Sequence, residues 1–221
     1  MAEETNILKN LSINFIICCY FGQSEDLIKA AIDRAYIDMA SHTLIWPDGK
    51  TTNSKWECRK DASDEIRQHL RSYPGGSDSF DDWYKDTICA IEKPYEKQGV
   101  TLSAGQTHKW LNMTIKYIYV FSNILESDDS RLNDVESFLR GTCEKDYQAP
   151  IDRNVLKETG LDKCFSPWSK LKPDEYAELQ KTLKSENDFL WELTNWESFA
   201  EKYKEVDKQS YEYYLKHIAG S

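Results

Sequence analysis

Two lysines set within one otherwise apolar segment are the residues of this sequence best suited to chemistry. The segment SAGQTHKWLNMTIKYIYVF runs from Ser103 to Phe121 and carries Lys109 and Lys116, with His108 and Asn112 beside them. On a helix advancing about 100° per residue, His108, Lys109, Asn112, Lys116, Tyr119 and Asn123 fall within one arc of roughly 100°. Trp110, Leu111, Met113, Ile118, Val120 and Phe121 spread over most of the remaining circumference. A helix this apolar is central and buried, so its polar arc must face solvent, an internal polar network or a cleft. Facing solvent, the lysine stems snorkel over their neighbours. Facing another helix, they pair with its carboxylates. Lining a cleft, Gln106, His108, Lys109, Asn112, Lys116 and Tyr119 form a basic, hydrogen-bonding wall for a phosphate, a carboxylate or a nucleotide. A lysine enclosed in this way also has a lowered pKa and can act as a nucleophile.

The second candidate group is Asp152, in QAPIDRNVLKETGL. An aspartate after proline at a helix start is an N-cap in the simplest account. Its setting, Pro150-Ile151-Asp152 followed by Asn154 and Val155, also resembles the strip around the catalytic aspartate of helix-hairpin-helix base-excision glycosylases. That resemblance implies a nucleic-acid-directed enzyme in which Asp152 is the carboxylate and Lys109, on a preceding helix, attacks the sugar. No glycine-rich hairpin precedes Asp152 here. A broader likeness covers about Phe80 to Trp196: GQTHKWLNMTIKY, then PID, then WSK resemble an uncharacterised family of bacterial proteins with a G-Q-x-x-K-W-x-N-M-x-x-K-Y helix. No activity comes with that likeness, only the implication that the three segments share one architecture.

The elements that must position these groups follow from patterning. Ser103-x-x-Gln106 is a capping box that opens the central helix, about 104–125. SEDLIKAAIDRAYIDMASHTL is amphipathic, opening at Ser24 or Glu25, with Leu27, Ala31, Ala35 and Met39 on one face. WPDGKTTNSK is a turn-rich connector, and DASDEIRQHLRSY a short polar helix stopped at Pro74 to Gly76. SDSFDDWYKDTICAIEKPYEK has a serine cap and an acidic first turn, and Pro94 ends or kinks it. ESDDSRLND is a solvated acidic loop, VESFLRG a short helix, and the helix after Asp152 stops before Gly160. Pro167 and Pro173 bracket Trp168, whose indole anchors the C-terminal helices. From KPDEYAELQKTLKS to the end the chain is helical, with Trp191, Trp196, Phe199 and Tyr203 facing inward. The expectation is a mostly α, single domain over 1–221 built around the central helix, with an N-terminal lobe 1–98 and a C-terminal lobe 99–221.

Composition narrows the function classes. With 221 residues, 40% hydrophobic and 30% charged, the chain can bury a substantial core. A formal charge of −10 disfavours a general electrostatic grip on nucleic acid or anionic membrane. The six cysteines form no C-x-x-C pair, and those of INFIICCYF read as small core residues. That apolar run is too short to span a bilayer and follows no basic leader, so a cytoplasmic location is expected. His42, His69, His108 and His217 have no ligand partner at zinc spacing, so no metal is expected. No phosphate-loop, dinucleotide or nucleophile-elbow motif occurs, and no cofactor is expected. The leading functional expectation is a binding or regulatory module with a basic cleft for an anionic small molecule, nucleotide or acidic protein segment. The alternative is the nucleic-acid enzyme with Lys109 and Asp152 in its site.

Overall fold

Ser103 and Gln106 start the central helix by satisfying each other's backbone. Ser103 Oγ accepts from the Gln106 N–H, and Gln106 Oε1 accepts from the Ser103 N–H, completing the capping box. The helix they open, α5 (Ala104–Ile124), is buried from Ala104 to Ile118 except at His108, which is only partly exposed. In that respect the apolar circumference read from the sequence is what the fold uses.

The computed structural model describes residues 2–39, 43–76, 79–126, 129–183 and 188–202. Among the described residues there are nine α-helices and no strand, joined by loops and short 3-10 turns. The helices before α5 are α1 (Ala2–Phe21), α2 (Leu27–Asp38), α3 (Thr52–Arg71) and α4 (Phe80–Glu96). After it come α6 (Glu136–Gly141), α7 (Arg153–Glu158), α8 (Pro173–Leu183) and α9 (Phe189–Lys202). Tyr203, the helical run expected beyond it, His42 and His217 lie outside the described residues.

Helix α2 packs along α5, and α3 packs on α4. Asp26 caps α2 by accepting from the Lys29 N–H, one residue after Glu25 and two after Ser24, the expected openings. Its face of Leu27, Ala31, Ala35 and Met39 is fully buried, as the pattern requires. Trp110 is enclosed between α2 and α4, and its indole N–H donates to the Ile32 carbonyl at 3.1 Å. This apolar cluster takes residues from α1 to α6, with Tyr147 and with Phe189 of α9. A second one joins Ala104 of α5 to Ile151, Val155, Leu156, Leu171, Leu179 and Leu183. Helix α5 belongs to both.

Four local expectations need correcting. Helix α3 begins at Thr52, inside the expected connector, because Thr51 caps it and Cys58, Ala62, Ile66 and Leu70 continue one buried stripe at four-residue spacing. Ser79 stands at the start of α4 but makes no cap bond; its hydroxyl donates backwards to the Gly75 and Gly76 carbonyls. Pro94 lies inside α4, buried, two residues before its end. The acidic loop is partly ordered: Ser130–Val135 forms a 3-10 turn, and Asp134 accepts from Arg67 and Arg71.

The cysteines are corrected as well. Only Cys58 is buried, while Cys18, Cys19, Cys89, Cys143 and Cys164 are exposed as free thiols. INFIICCYF lies on α1, and only the side bearing Ile13, Ile17 and Phe21 meets the body of the protein. Apolar character gave the run its helix but not a second surface to lie against.

No described helix is long and apolar enough to cross a membrane. No group of three or more His, Cys, Asp or Glu side chains that could hold a metal forms among the described residues.

Candidate functional site

Lys109 and Asp152 meet. The Lys109 ammonium lies 3.9 Å from Asp152 Oδ2, its side chain only 10% exposed. Asp152 is positioned by the start of α7, where its Oδ1 accepts from the Asn154 and Val155 N–H groups at 2.8 and 2.9 Å. The cap predicted from sequence therefore leaves the second carboxylate oxygen turned toward the lysine. At 3.9 Å the contact is an ion pair without a hydrogen bond, and among the described residues the Lys109 ammonium makes no hydrogen bond.

Trp168 closes the other side. The ammonium stands 4.2 Å from the centre of its ring, a cation–π contact. The 3-10 turn Trp168–Lys170 is tied to the start of α5: Ser103 Oγ donates to the Ser169 carbonyl at 2.9 Å, and the Ala104 N–H to the Leu171 carbonyl at 3.1 Å. Between these ties sits Gly105. A Cβ there would fall 1.6 Å from the Trp168 carbonyl oxygen, so only glycine lets the backbones approach this closely. Gly105→Ala is expected to push the turn away, lowering stability by about 2 kcal/mol. Acrylamide should then quench the indole fluorescence more strongly, whereas unchanged quenching and stability would mean that the turn is not held by this contact.

Beyond Trp168 lies a hollow of about 310 Å³, lined in part by Arg153, Leu156, Lys157, Asp162 and Pro167. Trp168 belongs to its lining and its ring also stands over the Lys109 ammonium, while Lys109 itself is not among the lining residues. Burial pulls the Lys109 pKa down, and the charge of Asp152, with Asp38 and Glu192 farther off, works against that shift. Desolvation is the larger influence, so a greater share of this amine is neutral than of an exposed lysine.

The rest of the polar arc is spoken for by other partners. Lys116 Nζ donates to both oxygens of Glu192, at 2.9 and 2.6 Å, with both side chains nearly sealed. His108 stacks on Tyr176 with ring centres 3.9 Å apart, and its Nδ1 lies 2.9 Å from the Tyr84 hydroxyl. Tyr84 donates to Asn112 Oδ1 at 2.8 Å, which leaves His108 Nδ1 as the donor in that first bond. Asn112 Nδ2 donates onward to Tyr176, whose hydroxyl also receives Gln180 and donates to Gln148. Burial holds the His108 ring neutral, its pKa pushed down to about 3. Gln106 is used by its cap and donates to Thr43 Oγ1. Tyr119 points elsewhere, donating to Glu144 at 3.0 Å. The six residues of the expected wall therefore share a helix face but not a single recess.

Three participants had no part in the sequence-based site. Trp168 was legible only as an anchor. Glu192 lies in a charged segment that gives no sign of which acid turns inward. Gly105, a glycine one residue inside a helix, does carry a signal, since such a glycine marks close backbone approach.

In comparison with known proteins, no family model, curated protein or solved structure matches this chain. The likenesses to glycosylases and to the bacterial G-Q-x-x-K-W pattern rest on the residues quoted for them.

Proposed function

We propose that the protein is an enzyme whose Lys109 amine is the nucleophile toward a carbonyl carbon or the C1′ carbon of a deoxyribose, with Asp152 carrying protons. One observation supports this above others: an enclosed lysine of lowered pKa, without a hydrogen bond among the described residues, faces a carboxylate 3.9 Å away. In the step envisaged, the ammonium passes a proton to Asp152 and the neutral amine forms a C–N bond to the carbonyl carbon. The protonated Asp152 returns its proton to the oxygen to give a hydroxyl, then takes a second proton from the nitrogen and delivers it to that hydroxyl, which leaves as water to give the iminium. With a nucleoside in place of the aldehyde, the base is the leaving group, as the glycosylase likeness implies. Substrate enters from the hollow beside Trp168 when the indole moves aside.

A second proposal keeps the protein a binding module for an anionic small molecule or acidic protein segment. Arg153 and Lys157 on the lining of the hollow favour it. The net charge of −10 argues against long nucleic acid in either case. We assign the protein to the cytoplasm, because five exposed, unpaired thiols suit a reducing compartment. A bacterial origin rests on the motif likeness alone.

Borohydride trapping separates the two. Wild-type protein incubated with an abasic oligonucleotide, or with pyridoxal phosphate as a small aldehyde, is expected to yield an adduct at Lys109 by peptide mass mapping. Lys109→Ala should abolish it. Asp152→Asn keeps the cap but removes a charge that raises the amine's pKa, so its trapping profile should shift to lower pH. No adduct at Lys109 at any pH overturns the enzyme proposal; thermal stabilisation by phosphate or nucleotides, lost in Arg153→Ala, would then support the binding one.

A further inference from the structure

From Ile7 to Ser12 every residue of α1 is exposed, and of these Asn10 borders a recess shared with Leu125 and Arg131. Attachment begins only at Ile13 and Asn14 and is completed by Ile17 and Phe21. There Phe21 packs edge-on to Tyr117 at 4.9 Å and against Phe121 at 4.8 Å, and Asn14 accepts from Arg131. The side of α1 turned away from these contacts is apolar. Ile7, Leu8, Leu11, Phe15 and Ile16 are each more than half exposed, Phe15 at 69%.

A face of several large apolar side chains marks a surface that something covers. Leu8, Leu11, Phe15 and Cys18 follow the three-then-four spacing of a helix-pairing seam. We propose that this face pairs with the same face of a second copy of the chain, making the protein a dimer through α1.

Self-complementarity favours a second copy. Under a two-fold axis one apolar stripe meets its own image, and no other surface need supply a match. The size is at the lower limit of a specific interface: Ile7, Leu8, Leu11, Phe15 and Cys18 share one arc of about 100° and bury roughly 900 Å² between two copies before neighbouring residues are added. Charge disfavours an anionic lipid surface. Lys9 is the only basic residue from Ile7 to Phe21, in a chain of charge −10. The side chains of this face are exposed and none belongs to the core around α5, so a partner helix can lie along them without disturbing that packing.

Sedimentation velocity on the full chain at micromolar concentration tests this. Wild-type protein is expected at twice the chain mass. Leu11→Glu combined with Phe15→Glu should sediment as a monomer, its dissociation constant raised at least about a hundredfold. Its helical circular dichroism and cooperative unfolding should persist, because neither side chain belongs to the protomer's core. A wild-type monomer throughout the range, or a variant that remains dimeric, overturns the proposal. So does a monomer that co-sediments with phosphatidylcholine vesicles, which would give the face to lipid.

Discussion

Glu192→Leu is expected to lower the unfolding free energy by about 3 to 5 kcal/mol, the usual cost of stranding one member of a buried ion pair. The Lys116 ammonium donates to both carboxylate oxygens, and the two side chains are 7% and 2% exposed. Removing the acid leaves a nearly enclosed cation whose remaining contact among the described residues is the Trp196 ring, 5.7 Å away. Burial already strains the arrangement, holding the Glu192 carboxyl above its ordinary pKa while Lys116 acts in the opposite direction. Replacing both residues, Lys116→Met with Glu192→Leu, should recover most of the loss, because two apolar side chains of similar volume have no charge to desolvate. Urea unfolding followed by circular dichroism measures both. A single variant within 1 kcal/mol of wild type, on the scale of exposed pairs, would mean that water reaches the site.

Acid should unfold the protein through His108. Its folded pKa is about 3, against an ordinary value of 6.5, because burial disfavours the cation. Since the folded value is the lower, the contribution of neutral His108 is fully present above about pH 6.5 and is lost as pH falls toward 3. Each unit in that window removes up to about 1.4 kcal/mol, so wild type should lose about 3 kcal/mol from this group between pH 7 and pH 4. Protonation also has a structural cost: Nδ1 already donates to Tyr84, and stacking on Tyr176 leaves little room for a second partner. His108→Gln removes the titration, so its stability relative to wild type should improve by that amount over the same range. Parallel pH dependences for the two proteins would show that the ring is already solvated in the fold.

Particular residues show what the sequence could reveal. The Ser103–Gln106 box and the apolar residues around α5 identify the central helix and its burial, because both are local in the chain. Asp152 as a cap was legible for the same reason. Partners were not: Glu192 lies 76 residues from Lys116, and periodicity says which way a side chain points along its own helix, not what stands opposite. The α1 segment exposes the same gap from the other side. INFIICCYF is as apolar as a core strip, yet burial requires a second surface, and the chain folds without supplying one along most of that helix. Trp168 above Lys109 combines both difficulties, since a turn fixed by backbone contacts to Gly105 has no periodicity to read.

The sharing of α5 between two apolar clusters has a consequence for how such a chain can be divided or evolve. A boundary at 98/99 would remove Trp110 from the pocket made by α2 and α4, and would leave the first cluster open along its whole inner side. Neither half is a module that could be exchanged between proteins as a self-sufficient block. Insertions belong instead in the surface loops, where they leave the common axis untouched.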